Sequence, residues 1–474
     1  MLQDLKLKWI YSLSFLFVLL TAIFIYYEIY WILLFPIAVA FALLPLYALD
    51  KFLLFIVFLT PLSVIIENKD FNVGLSLPTE PLMFCALLLF LFKLIFERKY
   101  EAKIINHPVT LAVLFSLTWT FITCFTSEMP LVSFKFLLSR LWFIIPFYFL
   151  GIQLFKNFNN IKKFFWFYII PLSLVVIYTI VNHAEYNFEH KPAHWVMDPF
   201  YNDHTSYGAV LVMFFPVFFL LLKGNYGHMK KLFAFLLMLI FTAGIILSYT
   251  RAAWLSLALS GMLALVYLFR IKFLTVMLSI LAFIALFFAF KADLIMMLEK
   301  NRQDSSSNIT EHIQSMSNVS SDASNLERIN RWQSAIRMFE ERPVFGWGPG
   351  TYAFQYAPYQ HSKEKTIIST NAGDMGTAHS EYIGPLAEQG LIGLLAFIAI
   401  IIAVYYRSTL LYTNLEDKNK KLVVLVTLLG FTTYVIHGLL NNFLDTDKAA
   451  VPFWGFVAIL TAMDIYHREE KISI

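Results

Sequence analysis

The run IKKFFWFYIIPLSLVVIYTIV, residues 161–181, decides the architecture. After its two opening lysines it carries no charge, and its 21 residues wound as a helix reach about 31 Å at roughly 1.5 Å per residue. That is the thickness of a bilayer's hydrocarbon core, about 30 Å. Pro171 in its middle predicts a kink rather than a break, because neighbouring helices can satisfy the carbonyl it frees.

The same ruler applied outward places further spans near 9–27, 30–48, 51–66, 79–96, 108–125 and 131–150. Others follow at 205–222, 231–249, 252–269, 273–290, 391–406, 421–440 and 450–466. About fourteen crossings result, and the expected fold class is all-α, a polytopic transmembrane bundle. Pro36, Pro45, Pro61, Pro146 and Pro216 predict further kinks. Of the 474 residues 59% are apolar and only 14% charged, too few charges to clothe a soluble core of this size. The run from Trp9 follows Lys6 and Lys8 like a secretory leader, yet no small-residue cleavage site ends it, so it is expected to stay as the first helix. Cys85 and Cys124 lie inside apolar runs and read as free thiols. The net charge of +4 is spread over many loops, which argues against a nucleic-acid partner.

Basic residues set the orientation. Alternate connections hold Lys93, Arg98, Lys99 and Lys103; then Lys156, Lys162 and Lys163; then Lys223, Lys230 and Lys231; then Arg270 and Lys272; and last Arg407, Lys418, Lys420 and Lys421. Those sides are expected to be cytoplasmic, with both termini inside. The opposite connections carry single cations, Lys69, Lys191, Arg251 and Lys448. The expected division is an N-terminal bundle over 1–290, an extracytoplasmic loop over 291–390 and C-terminal helices over 391–474. Within the loop, residues 301–325 are rich in Ser and Asn and poor in large apolar groups. Beyond them Asn325 can cap an amphipathic helix with Ile329, Trp332, Ile336 and Phe339 at helical spacing, ending before Pro343 and lying near the membrane surface or packed on the bundle.

Three places break the apolar rule. Arg140 sits mid-span, with Lys135 about 7.5 Å nearer the outer face, and a guanidinium at that depth needs a cavity or an anion. A structural ion pair is the alternative. Arg251, in SYTRAAW, joins two helices that have almost no loop between them. There it either snorkels to lipid phosphate or offers a fixed two-pronged donor to a lipid-linked phosphate or pyrophosphate. The third place is the stretch from Leu326 to Gly393. Gly346, Gly348 and Gly350 surround Pro349 in a tight turn. Thr377 is a plausible cap for a helix opening at Ala378, which puts His379 in a first helical turn, where the positive helix end keeps imidazole neutral and able to accept a proton. Glu388 and Gln389 predict that 378–389 lies outside or partly inserted, with a bend at Gly390. His204 at one helix mouth, and His437 with Asn441 and Asn442 at another, are weaker candidates for the same cavity. Metal-ligand spacings and nucleotide-binding loops are absent, so neither metal nor cofactor is expected.

SYTRAAWLSL, the Arg328-to-Trp332 stretch leading into RPVFGWGPG, and HSEYIGPLAEQGLIG together resemble the O-antigen ligase/polymerase family, across roughly 245–400. The resemblance implies a metal-independent inverting glycosyltransferase of the bacterial inner membrane, working at its periplasmic face on a polyprenyl-pyrophosphate-linked glycan. By position it assigns Arg251 and Arg328 to the departing pyrophosphate and His379 to the acceptor hydroxyl. Arg140, Lys135, Arg331, His204 and Tyr382 are the wider substrate-binding set. The expected partners are that donor, a lipid A-core or other glycan acceptor, and membrane lipid. A ligase is preferred to a polymerase of the same family. A secondary transporter or flippase remains as a different class, which a bundle without two related halves disfavours.

Overall fold

A computed structural model describes residues 2–27, 47–68, 73–97, 100–224, 226–271, 275, 278, 326–365, 369 and 376–468. The expected spans 30–48 and 273–290, apart from residues 47, 48, 275 and 278, together with Pro36, Pro45 and the 301–325 segment, lie outside the described residues. Two compact units divide the chain at residue 55. In the first, helix Leu2–Tyr26 contains the expected opening span.

Among the described residues of the second unit ten helices are long and apolar enough to cross a membrane. They are Thr79–Phe96, Pro108–Phe125, Pro130–Leu154, Phe158–Ala184, His204–Lys223, His228–Leu247, Arg251–Leu268, Ile383–Asn414, Lys418–His437 and Asp447–Tyr466. Each coincides with a stretch expected from hydropathy, so the chain is an all-α, multi-pass membrane protein. The prolines act differently according to their neighbours. Helix Phe158–Ala184 runs through Pro171, whereas the backbone widens to a π turn over Ile145–Phe149 at Pro146 and breaks after Phe214 at Pro216.

The expected span 51–66 is corrected. Its helix, Leu49–Leu59, stops where Pro61 cannot donate to the ladder, and one 3-10 turn over Thr60–Leu62 follows. The β-branched Val64, Ile65 and Ile66 then enter a strand, Val64–Asn68, paired antiparallel with Val73–Leu77.

The core is built on Asp447–Tyr466, which is buried along nearly its whole length. Its polar ends are held by neighbours. Asp447 Oδ2 accepts from Ser63 Oγ at 2.5 Å and Thr79 Oγ1 at 2.6 Å, while Lys448 Nζ donates to Thr60 O at 2.7 Å and Ser63 O at 2.6 Å. At the other end Asp464 holds Arg407 Nε at 2.7 Å and His107 Nε2 at 3.1 Å. Peripheral helices expose leucines and phenylalanines, such as Leu232, Phe233, Leu236 and Leu239, as a lipid-facing surface should.

Candidate active site

The connections 185–203, 248–250, 326–365 with 376–382, and 438–446 meet at one end of the bundle. The kinked helix Ile383–Asn414 organises them. Gly390 has φ 69°, and a Cβ there would lie 2.1 Å from Val344 O, so the bend expected at this glycine accommodates a chain crossing directly over it. Leu391 N donates to Pro343 O at 2.9 Å, Trp347 N to Ala387 O at 3.1 Å and Gly348 N to Glu388 O at 2.8 Å. Glu388 accepts from Gly350 N at 2.9 Å and Tyr352 N at 3.0 Å. The turn FGWGPG is therefore bonded through its backbone to the kinked segment, which explains how Glu388 and Gln389 sit in an otherwise apolar helix. Gln389 itself is held by Trp119 and Thr120, both at 2.9 Å.

The helix over 326–341 rests on this platform with its polar face inward. Glu327, Asn330, Arg331, Ser334, Ala335 and Met338 are buried, whereas Leu326 and Ile329 are exposed. The expected apolar stripe thus faces away from the site. Buried polar side chains justify this only if they find partners. Arg331 Nε donates to Glu327 Oε1 at 2.7 Å and the guanidinium lies 4.1 Å from the Tyr356 ring centroid, while Asn330 donates to Gln360 Oε1 at 2.9 Å. Ala335, Met338, Trp347, Tyr352, Tyr356, Ala378 and Ala387 form a small core of their own beneath the helix.

His379 is not in a helical turn, which corrects the sequence expectation. Residues 376–382 are irregular and the helix opens only at Ile383, because Ser380 Oγ takes the amides of Tyr382 at 3.2 Å and Ile383 at 3.4 Å. His379 has φ 49°, a conformation unusual for a residue with a side chain, and Thr377 Oγ1 accepts from its amide at 3.3 Å. Glu381 anchors the loop. Its amide donates to Gly438 O at 2.8 Å, and its buried carboxylate accepts from Tyr434 OH at 2.7 Å and the amides of Phe443 at 2.8 Å and Leu444 at 2.9 Å.

The electrostatics of the group follow from this packing. Burial and then the fields of Arg328 and Arg331 push the His379 imidazole down to about 4, against the opposing pull of Asp203 and Glu327. Neutrality, expected from a helix dipole, comes instead from desolvation and two guanidinium groups. Burial also lowers Arg328, with Asp203 as the opposing charge. Asp203 Oδ1 lies 3.0 Å from His204 Nδ1 and accepts from Thr205 N at 3.1 Å, while Oδ2 accepts from Thr205 Oγ1. Burial alone would raise this carboxyl; the hydrogen bonds from His204 and Thr205 outweigh it and hold the group down to about 2. The His194 ring stands 4.1 Å from His204 and 5.5 Å from His190. Burial and then the neighbouring histidines push His194 down to about 4.

The candidates from sequence divide into two neighbourhoods. Arg328, Arg331, His379, His204 and His437 share the field of Asp203, directly or through its neighbours. Arg251 enters from the side: it is exposed at the start of its helix, its charge acts on His190, and the adjoining Thr250 Oγ1 donates to His204 O at 3.0 Å. His437 Nε2 lies 3.1 Å from Asn441. Arg140 belongs elsewhere. It reaches Leu444 O at 3.5 Å, lines a cavity of about 50 Å³ with Glu381 and Gln389, and its charge acts on Glu381, Glu388 and Asp445. Those acids are the opposing charges that hydropathy alone did not reveal. Lys135 is exposed, and Tyr382 packs on Phe397 with its hydroxyl donating to Val435 O at 2.9 Å.

Asp203, His190, His194, Glu327 and Glu381 are the members that sequence reasoning passed over. Asp203 did carry a signal, since an Asp immediately before HTSYG is a helix N-cap. Among the described residues there is no group of three His, Cys, Asp or Glu placed to hold a metal.

A multi-pass helical membrane protein with a charged, partly buried cluster under an ordered loop is thus the class that fold and site define. The family described as O-antigen ligase matches residues 233–398, about a third of the chain. The match begins before SYTRAAW and ends after HSEYIGPLAEQGLIG, so it contains all three motifs. An uncharacterized protein of Haemophilus influenzae is 26% identical over 151 residues. That alignment covers 31% of this chain and 31% of the relative, so the chain spans about a third of its length.

Proposed function

We propose that the protein is a glycosyltransferase of the O-antigen ligase type, moving a glycan from a polyprenyl-pyrophosphate carrier to an acceptor hydroxyl at the extracytoplasmic face of the bacterial inner membrane. One observation carries the reading: a half-buried imidazole held neutral by desolvation and by the charges of Arg328 and Arg331, within the stretch that matches the family. In the reaction the acceptor oxygen bonds to the anomeric carbon while the carbon–oxygen bond to pyrophosphate breaks, with inversion. The hydroxyl proton passes to His379, and the charge gathering on the leaving pyrophosphate is met by Arg328 and Arg251, with Arg331 behind them. Preorganised cations in a partly dry site lower such a barrier because they need no reorganisation as charge develops.

In this reading residues 1–290 and 391–474 are the membrane bundle, 291–390 is the periplasmic catalytic loop, and both termini are cytoplasmic. The acceptor is lipid A-core. His379→Ala and Arg251→Ala then abolish glycan transfer at normal protein abundance; intact surface glycan in both variants would refute the assignment. Transfer by purified protein from a synthetic lipid-linked donor survives EDTA, and a loss restored by Mg²⁺ would remove the metal-independent mechanism. In a deletion strain lipid A-core without any attached glycan identifies a ligase, whereas core bearing a single repeat identifies a polymerase.

A further inference from the structure

We infer that Asp203 is a positioning residue of this site: its carboxylate, fixed between His204 and Thr205 and facing Arg328 and His379, directs the arginine and stabilises the imidazolium that forms when His379 takes the acceptor's proton. This rests on the glycosyl-transfer reading above and adds to it the counter-charge that the reaction needs.

Four observations converge on Asp203. It precedes helix His204–Lys223 and is locked by contacts at both oxygens, with Thr205 N at 3.1 Å, His204 Nδ1 at 3.0 Å and Thr205 Oγ1. Its side chain nevertheless keeps 44% of its surface open, so the carboxylate is not sealed in a closed core. Groups from four separate segments feel it: His194 from its own connection, Arg328 from helix 326–341, His379 from loop 376–382 and His437 from the end of Lys418–His437. The other carboxylate that acts on His379, Glu327, is bonded to Arg331 at 2.7 Å.

The chemistry requires such a group. His379 faces Arg328, Arg331, Glu327 and Asp203. Two guanidinium groups favour the neutral imidazole before reaction but oppose the cation that proton transfer creates. A fixed carboxylate near an imidazole offsets that opposition by one to three pKa units, roughly 10- to 1000-fold in equilibrium. Capping alone does not need a charge, since Asn and Ser cap helices about as well as Asp.

That equivalence supplies the test. Asp203→Asn and Asp203→Ser, in the full-length protein, retain the cap and remove the charge. With a synthetic prenyl-diphosphate-linked saccharide as donor, each should lower kcat about 10- to 100-fold. The donor KM should be unchanged or lower, since a negative charge has left a diphosphate site. The acid-side limb of the kcat profile should move to lower pH, because losing the carboxylate lowers the His379 pKa further. Asp203→Glu should recover part of the rate. Both neutral variants within twofold of wild type, with an unmoved pH limb, would overturn the inference while His379→Ala stays inactive. Loss of folded protein in both neutral variants assigns Asp203 to folding and overturns it too. Undiminished transfer by His379→Ala would instead take down the glycosyl-transfer reading itself.

Discussion

Two arginines at the same end of the bundle meet opposite fates. Arg140 is surrounded by acids, Glu381, Glu388 and Asp445, and caps the carbonyl of Leu444 over a cavity of about 50 Å³. Arg328 stands beside a second arginine and a neutral imidazole, with Asp203 as opposing charge. The first neighbourhood carries more acid than base and ties its carboxylates to backbone amides. In the second, Arg328 and Arg331 both act on His379. Acids tied to backbone amides around a single arginine brace a fold, whereas two guanidinium groups beside a neutral imidazole in a partly desolvated place suit an anionic ligand.

The difference breaks most sharply in activity. Arg328→Ala or His379→Ala should lower transfer by roughly 100- to 10,000-fold at unchanged abundance, measured with purified protein and synthetic donor. Equal losses from Arg140→Met, per folded molecule, would erase the distinction between the two neighbourhoods. Gly390→Ala should act on folding through the platform they share. It forces a side chain into φ 69° against Val344 O and should cost on the order of 3 kcal/mol, seen as a lower thermal midpoint in detergent. Arg140→Met should cost about 1–3 kcal/mol by leaving buried acids without their cation, with transfer per folded molecule changed less than about tenfold.

The smallest expected effect is one of pH. His379 is pushed down to about 4, so it stays neutral from pH 8 to 5.5, and kcat/KM should vary less than about twofold there before falling as pH drops through 4. The stability consequence has the same sign. The unfolded chain takes up the proton near 6.5 and the folded one resists it, so stability declines as pH falls from 6.5 towards 4. A kcat/KM limb near 6.5 would show an imidazole exposed like any surface histidine.

Much of the bundle was legible because an apolar run of bilayer length has one low-energy solution, a helix whose backbone bonds are internal. Where that reading failed, at 51–66, local chemistry intervened: Pro61 removed a donor and three β-branched residues took the strand. The FGWGPG turn and the bend at Gly390 were legible singly, but not their contact, which is made by backbone amides of residues far apart in sequence. The helix over 326–341 was legible as a helix, but not which of its faces is buried. Its apolar periodicity is real, yet the polar stripe carrying Glu327, Asn330 and Arg331 found partners in Gln360 and Tyr356 and was buried instead.

By itself the amino-acid order determined the number of apolar runs and their lengths, and which stretches carry Arg251, Arg328 and His379. Those properties depend on solvation along a single helix or on residues close in the chain. Only the tertiary structure decided that His379 lies in an irregular loop rather than a helical turn, that Arg140 is matched by acids, and that Asp203 faces the site. Charge balance depends on distance in space, falling with separation and dielectric, and no spacing along the chain encodes it.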